Sequence, residues 1–208
     1  MKKLISMDMA TKSTGWAFFD EGQLTEYGVL KANDDYIYSR LLTMRSQIRE
    51  ILELHQPDIV VVEEVPISNS SNLDVGKNLC ILQGMVFGVC SDLGIEFKTI
   101  SPSVWREKIG LHRTLYTCEK CGAEFEGKSG LRKLECKPCG NTAFSKFKKT
   151  QLNKRNDLKE RAVKETNSIY GLSLFFKRNS AKSDDDIAES ILLGLSELKH
   201  MGEIDGNL

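Results

Sequence analysis

Short apolar runs separated by turn residues open the chain. Lys3 to Met9, Ser13 to Phe19 and Gln23 to Leu30 read as strands, with turns at Thr11-Lys12 and Glu21-Gly22, so the spacing predicts an antiparallel meander. From Tyr36 to Leu54 the period changes. Ile37, Leu41, Met44, Ile48, Ile51 and Leu52 recur at helical spacing, which predicts a helix. Asp58 to Val62 contains the unbroken run Ile59-Val60-Val61-Val62, suited to a strand covered on both faces. Leu73 to Leu93 reads as a helix, with Gly84 and Gly88 as close-packing points, and Glu96 to Ile100 as a further strand. Ser101-Pro102 then caps a short helix around Trp105. After a cysteine-rich segment, a basic helix is predicted over about 151–170 and a last helix over about 184–198. Meander, helix, strand, helix, strand and further helices make an α/β fold with a mixed sheet, a single domain over 1–208.

Composition narrows the class. Of 208 residues, 40% are hydrophobic and 28% charged, as in an ordinary globular chain that folds without disulfides. The 29 basic and 29 acidic residues cancel, but unevenly. Positions 105–161 hold 15 basic and 7 acidic residues, leaving 14 and 22 for the rest. A uniformly basic coat is excluded; a polyanion-facing surface beside an acidic site is not. Met1 to Ala10 is too short in apolar residues for a signal-peptide core. The longest apolar candidate, Cys80 to Cys90, is broken by Gln83 and two glycines. The expectation is a cytoplasmic protein with no membrane span.

Four of six cysteines form two pairs, Cys118-Glu-Lys-Cys121 and Cys136-Lys-Pro-Cys139, each followed by glycine and separated by 14 residues. Four thiolates at this spacing suit a closed tetrahedral Zn²⁺ site, a zinc ribbon inserted at 113–145. Cys80 and Cys90, in an apolar helix, read as small core residues.

Acids stand at places where apolar elements end. Asp8 follows Leu4-Ile5-Ser6-Met7, and Glu63-Glu64 follow the valine run. Asp184-Asp185-Asp186 open the last helix, on which Asp186 and Glu189 share a face, while Ile187, Ile191 and Leu195 share another that can pack on the sheet. Singly, these acids read as a helix cap and a solvated strand end. As a set, carboxylates from two strands and a late helix make a hard-oxygen site for Mg²⁺ or Mn²⁺, ions that serve phosphodiester hydrolysis.

These segments resemble the RuvC-type Holliday-junction resolvases of the ribonuclease-H-like nucleases. The likeness is carried by Ile5-Ser-Met-Asp8, Ser13-Thr-Gly-Trp-Ala17, Pro57-Asp-Ile-Val-Val-Val-Glu63-Glu-Val65 and Asp186-Ile-Ala-Glu189-Ser-Ile-Leu-Leu193, in the family's order. The resemblance implies a ribonuclease-H-like mixed sheet flanked by helices. It implies Asp8, Glu63, Asp186 and Glu189 as the catalytic, Mg²⁺-binding quartet, with Glu64 and Asp185 as neighbours that exchange roles if the register shifts by one. It also implies a homodimer cutting branched DNA in recombination and repair. Three departures point to a divergent, phage-like member: Glu189 where the family usually has Asp, Pro66 where many members have an aromatic residue, and the cysteine insertion.

Between Ser145 and Arg161 lie seven basic and two acidic residues. Lys146, Lys148, Lys149, Lys154, Arg155 and Lys159 are the candidate phosphate contacts. Without the acidic site, the same residues read as a solvated helix face. The leading expectation is an Mg²⁺-dependent endonuclease resolving Holliday junctions. A nuclease for flaps or RNA–DNA hybrids and a non-catalytic nucleic-acid-binding protein remain as alternatives.

Overall fold

The apolar run Ile59–Val62 becomes the buried centre of a five-stranded sheet. A computed structural model describes the chain except residues 1, 66–72, 129–132, 153, 179, 181 and 205–208. The elements are β1 (Leu4–Asp8), β2 (Ser13–Asp20), β3 (Gln23–Lys31), α1 (Ile37–His55), β4 (Ile59–Glu63), α2 (Leu73–Leu93), β5 (Glu96–Ile100), α3 (Pro102–Lys108), β6 (Arg113–Cys118), β7 (Glu124–Lys128), β8 (Phe147–Gln151), α4 (Arg155–Tyr170) and α5 (Asp185–Met201). Strand order in the main sheet is β3-β2-β1-β4-β5, with β1, β2 and β3 antiparallel and β1, β4 and β5 parallel. A second sheet, β7-β6-β8, forms the cysteine-bearing unit.

Strand alternation sorts side chains onto two cores. Ile5, Met7, Val60 and Val62 face α1 and α2, packed with Leu41, Met44, Ile48, Leu82 and Val86. Leu4, Ile59, Val61, Ala17 and Phe19 face the other way, onto Ile191, Leu192 and Leu195 of α5. Each aliphatic side chain so buried contributes about 1.5–3 kcal/mol. The α5 helix is buried nearly all round, from Ala188 to Leu198, because α4 covers its far side with Ala162 and Val163. Sequence periodicity assigns it one packing face; a covered helix needs more.

Two glycines set how closely α5 approaches. A Cβ on Gly194 would lie 2.3 Å from Phe19 and 2.5 Å from Ser6 Oγ, and one on Gly15 would lie 2.0 Å from the Asp186 carbonyl oxygen. Ser6 Oγ donates to the Ser190 carbonyl at 2.7 Å, closing the same contact.

Several expectations change. The strand β8 fills the stretch left unassigned between the cysteine insertion, expected to end at 145, and the basic helix expected from about 151, and it extends the second sheet past position 145. Phe147 explains this: it is buried against Phe125, with Tyr116 stacked on the other side, so this stretch pairs with β6. Cys90 is buried, but Cys80 is exposed, contrary to expectation. The buried stripe of α2 is Leu82–Val86–Val89–Cys90, and position 80 falls off it. By length and composition alone α2 is long and apolar enough to cross a membrane, which corrects the expectation that no segment approaches a span; core helices of globular folds meet the same criterion. Pro66 lies outside the described residues.

Candidate active site and metal-binding cysteines

The alternation that places Leu4 and Ser6 toward α5 also points Asp8 there. Likewise, Ile59 and Val61 lead to Glu63. Since Ser6 pairs with Val61 and Met7 with Val62 in parallel register, the next step sets Asp8 beside Glu63. On the neighbouring strand, Gly15 pairs with Asp8, and its missing side chain admits the backbone of Asp186. One turn on, Glu189 is buried and shares Arg106 Nη2 with Glu63. Thus Asp8, Glu63, Asp186 and Glu189 converge from β1, β4 and α5. Glu64 is exposed, and its amide is spent on the β5 edge at Ile100.

Electrostatics register the crowding. Burial, then the charges of Glu189, Glu63 and Asp186, hold the Asp8 carboxyl well above the usual carboxylate range. Burial also raises Glu63, against the opposing pull of Arg106 and Trp105. Trp105 Nε1 donates to Glu63 Oε2 at 2.7 Å, and Ser13 Oγ donates to Asp186 Oδ2 at 2.8 Å, so two of the four carboxylates are oriented by neutral donors.

Two cations share the cluster. Arg106 Nη2 lies 2.9 Å from both Glu63 Oε2 and Glu189 Oε1. Lys159 Nζ pairs with Asp185 and lies 3.5 Å from Asp186 and 3.9 Å from Glu189. The sequence reading set Lys159 among solvent-facing phosphate contacts; the structure turns it into the acids. Asp185, below the usual range, is Lys159's partner: burial works against its charge, but the bonds from Lys159 and Ser183 prevail.

Beside Asp186 opens a cleft of about 550 Å³ lined in part by Lys12, Lys31, Lys159 and Lys182. Lys146, Lys148, Lys149, Lys154 and Arg155 are exposed, the first three on or before β8 and Arg155 at the start of α4. Sequence reasoning assigned no role to Trp105, Arg106, Lys12 or Lys31. The available signal was a Trp-Arg pair directly after the strand beside β4.

The four cysteine Sγ atoms all lie within 4.8 Å of one another, positioned to bind a metal. Cys118 and Cys139 Sγ are 3.7 Å apart and Cys121 and Cys136 Sγ 3.4 Å. Gly122 and Gly140, at φ +75° and +65°, let the chain turn back so that their amides bond the Cys118 and Cys136 carbonyls. Burial opposes ionisation of the Cys118 thiol, yet backbone bonds at Lys120 and Cys121 and the Asn141 amide bring it to about 6; burial and the neighbouring thiols push Cys136 up to about 12. Thiols so close, one ready to ionise, are the donor set a soft divalent ion favours.

A mixed sheet ordered 3-2-1-4-5, with acids on the adjacent inner strands β1 and β4 and on a covering helix, has the ribonuclease-H-like fold, in the form seen in RuvC-type proteins. Among solved structures, the chain is similar to Thermus thermophilus RuvC in complex with a Holliday junction substrate (TM-score 0.59, 12% identity, 98% of each chain covered). A second T. thermophilus RuvC structure matches at TM-score 0.57 and 13% identity over 97% of each chain. The yeast mitochondrial Holliday junction resolvase Ydc2 matches at 0.53 and 12%, over 97% of this chain and 80% of that one. No protein-family model and no curated protein matches the sequence.

Proposed function

We propose that this chain is a metal-dependent endonuclease that hydrolyses phosphodiesters in branched DNA, resolving Holliday junctions as a homodimer. The observation that carries the reading is the convergence of Asp8, Glu63, Asp186 and Glu189 on a fold matched over nearly its whole length by junction resolvases. The donor chemistry fits the ion: hard carboxylate oxygens, with Asp8 raised first by burial and then by the neighbouring acids, favour Mg²⁺ or Mn²⁺. When bound there, such an ion activates water and stabilises the departing oxygen.

The chain's own residues supply the rest. Asp8, Glu63, Asp186 and Glu189 would hold the ion, with Trp105 orienting Glu63 and Ser13 orienting Asp186. Lys12, Lys31 and Lys182 line the cleft along which a phosphate backbone can approach Asp186. The cysteines would hold a structural Zn²⁺, making residues around 113–151 a zinc ribbon, and Lys146, Lys148, Lys149, Lys154 and Arg155 would give its side of the molecule phosphate contacts. The exposed apolar side chains of α2, Leu73, Val75 and Phe87, support pairing with a second copy. Recombination or repair of cytoplasmic DNA, in a bacterial or phage-infected cell, is the setting this activity fits.

The deciding experiment is cleavage of a synthetic four-way junction with Mg²⁺ by wild type and Asp8→Asn. Paired nicks by the wild type, absent with the variant, are expected. Cleavage retained by Asp8→Asn would overturn the assignment of the acids, and preference for flaps or hybrids over four-way junctions would overturn the substrate.

A further inference from the structure

Arg106 and Lys159 both neutralise the carboxylate cluster, but they are held differently. Lys159 has a partner outside the quartet, Asp185, whose bond survives if Asp186 and Glu189 turn elsewhere. Among the described residues Arg106 has no such anchor: both carboxylates it pairs with there, Glu63 and Glu189, belong to the quartet. One nitrogen, Nη2, bridges the two, while its buried Nε makes no hydrogen bond. Its guanidinium lies 4.7 Å from the Trp105 ring centre, an arrangement that tolerates sliding across the ring face.

A single bridging cation between Glu63 and Glu189 competes for the oxygens that a divalent ion needs. Once the ion binds, positive charge replaces the anions around Arg106, and a partly buried guanidinium without a partner is costly. The anion that the reaction brings to this place is a phosphate, for which a guanidinium offers two parallel donors.

We propose that Arg106 is a resident counter-ion that trades places with the divalent metal. It neutralises Glu63 and Glu189 in the metal-free chain, releases them as the ion binds, and then pairs with a phosphate oxygen of the DNA. The proposal rests on the reading of the quartet as a divalent-metal site. It makes Arg106 the link between metal loading and substrate binding, a role that neither the acids nor the surface lysines fill.

The test is calorimetric titration of Mn²⁺ into the full chain without DNA, comparing wild type, Arg106→Gln, Arg106→Lys and Asp8→Asn. Removing the competing charge should make Arg106→Gln bind Mn²⁺ about tenfold more tightly, equivalent to about 1.4 kcal/mol. It should also weaken binding of an uncleaved four-way junction in Ca²⁺ about tenfold. Arg106→Lys, which keeps the charge but reaches fewer oxygens and serves if the glutamine variant does not fold, should tighten Mn²⁺ binding about threefold. Mn²⁺ affinity equal to or below wild type in the folded variants overturns the exchange. Mn²⁺ binding by Asp8→Asn at the wild-type level, or none by the wild type, overturns instead the metal-site reading beneath it.

Discussion

Asp8 stands where its charge is costly. Because burial and three neighbouring acids hold its carboxyl above the usual range, the folded chain keeps a proton there that the unfolded chain has already released. The metal-free protein should therefore lose stability as pH rises from the ordinary carboxylate range through the raised value, and regain it on acidification. In melts without added divalent ion, Asp8→Asn should unfold at a higher temperature than wild type at pH 7, with part of that pH dependence gone. Adding Mn²⁺ should stabilise only the wild type. Trp105→Phe keeps the buried ring but removes the hydrogen bond to Glu63. It should cost about 1–2 kcal/mol in denaturant melts and lower kcat for junction cleavage more than it raises KM. Neither indole nor guanidinium was legible as a site residue, because a Trp and an Arg on a short helix carry no periodic signature. Their meaning appears only when β4 and β5 pair and bring α3 over Glu63.

Elements carry the precision of the site. Gly15 and Gly194 let α5 lie against the sheet, so Gly15→Ala should push the helix away and lower stability by about 1–3 kcal/mol, read in the melting curve. It should also weaken Mn²⁺ binding, since Asp186 moves with the backbone it clashes with. Much of this architecture was readable beforehand: the strand runs, the α1 stripe and the acids at strand ends follow directly from periods of two and 3.6. The β8 strand was not, because Lys148 and Lys149 break up its apolar signal and Phe147 is its one buried side chain. The cysteine unit was legible from spacing alone, and its own small core of Tyr116, Leu134 and Phe147 shows how little else holds it. Cys136→Ser should therefore release residues 113–151 to protease while the five-stranded sheet still melts cooperatively.

At the scale of the whole molecule, zero net charge conceals an uneven distribution along the chain, 15 basic against 7 acidic residues over 105–161. Junction affinity should fall as salt rises, and replacing both Lys148 and Lys149 with Ala should make the log–log slope shallower by about two, one for each phosphate no longer neutralised. The cysteine unit is tied to α4. Arg161 of α4 donates to the carbonyls of Leu111, at 2.5 Å, and Leu152, clasping both ends of the cysteine unit two residues from Lys159. The late place of α5 in the chain also has a consequence for timing. Strands β1 and β4 leave the ribosome well over a hundred residues before Asp186 and Glu189. Until that helix docks, half of the proposed quartet is missing. The proposed metal site therefore cannot be complete before the C-terminal part of the chain has been synthesised, however early β1 and β4 pair.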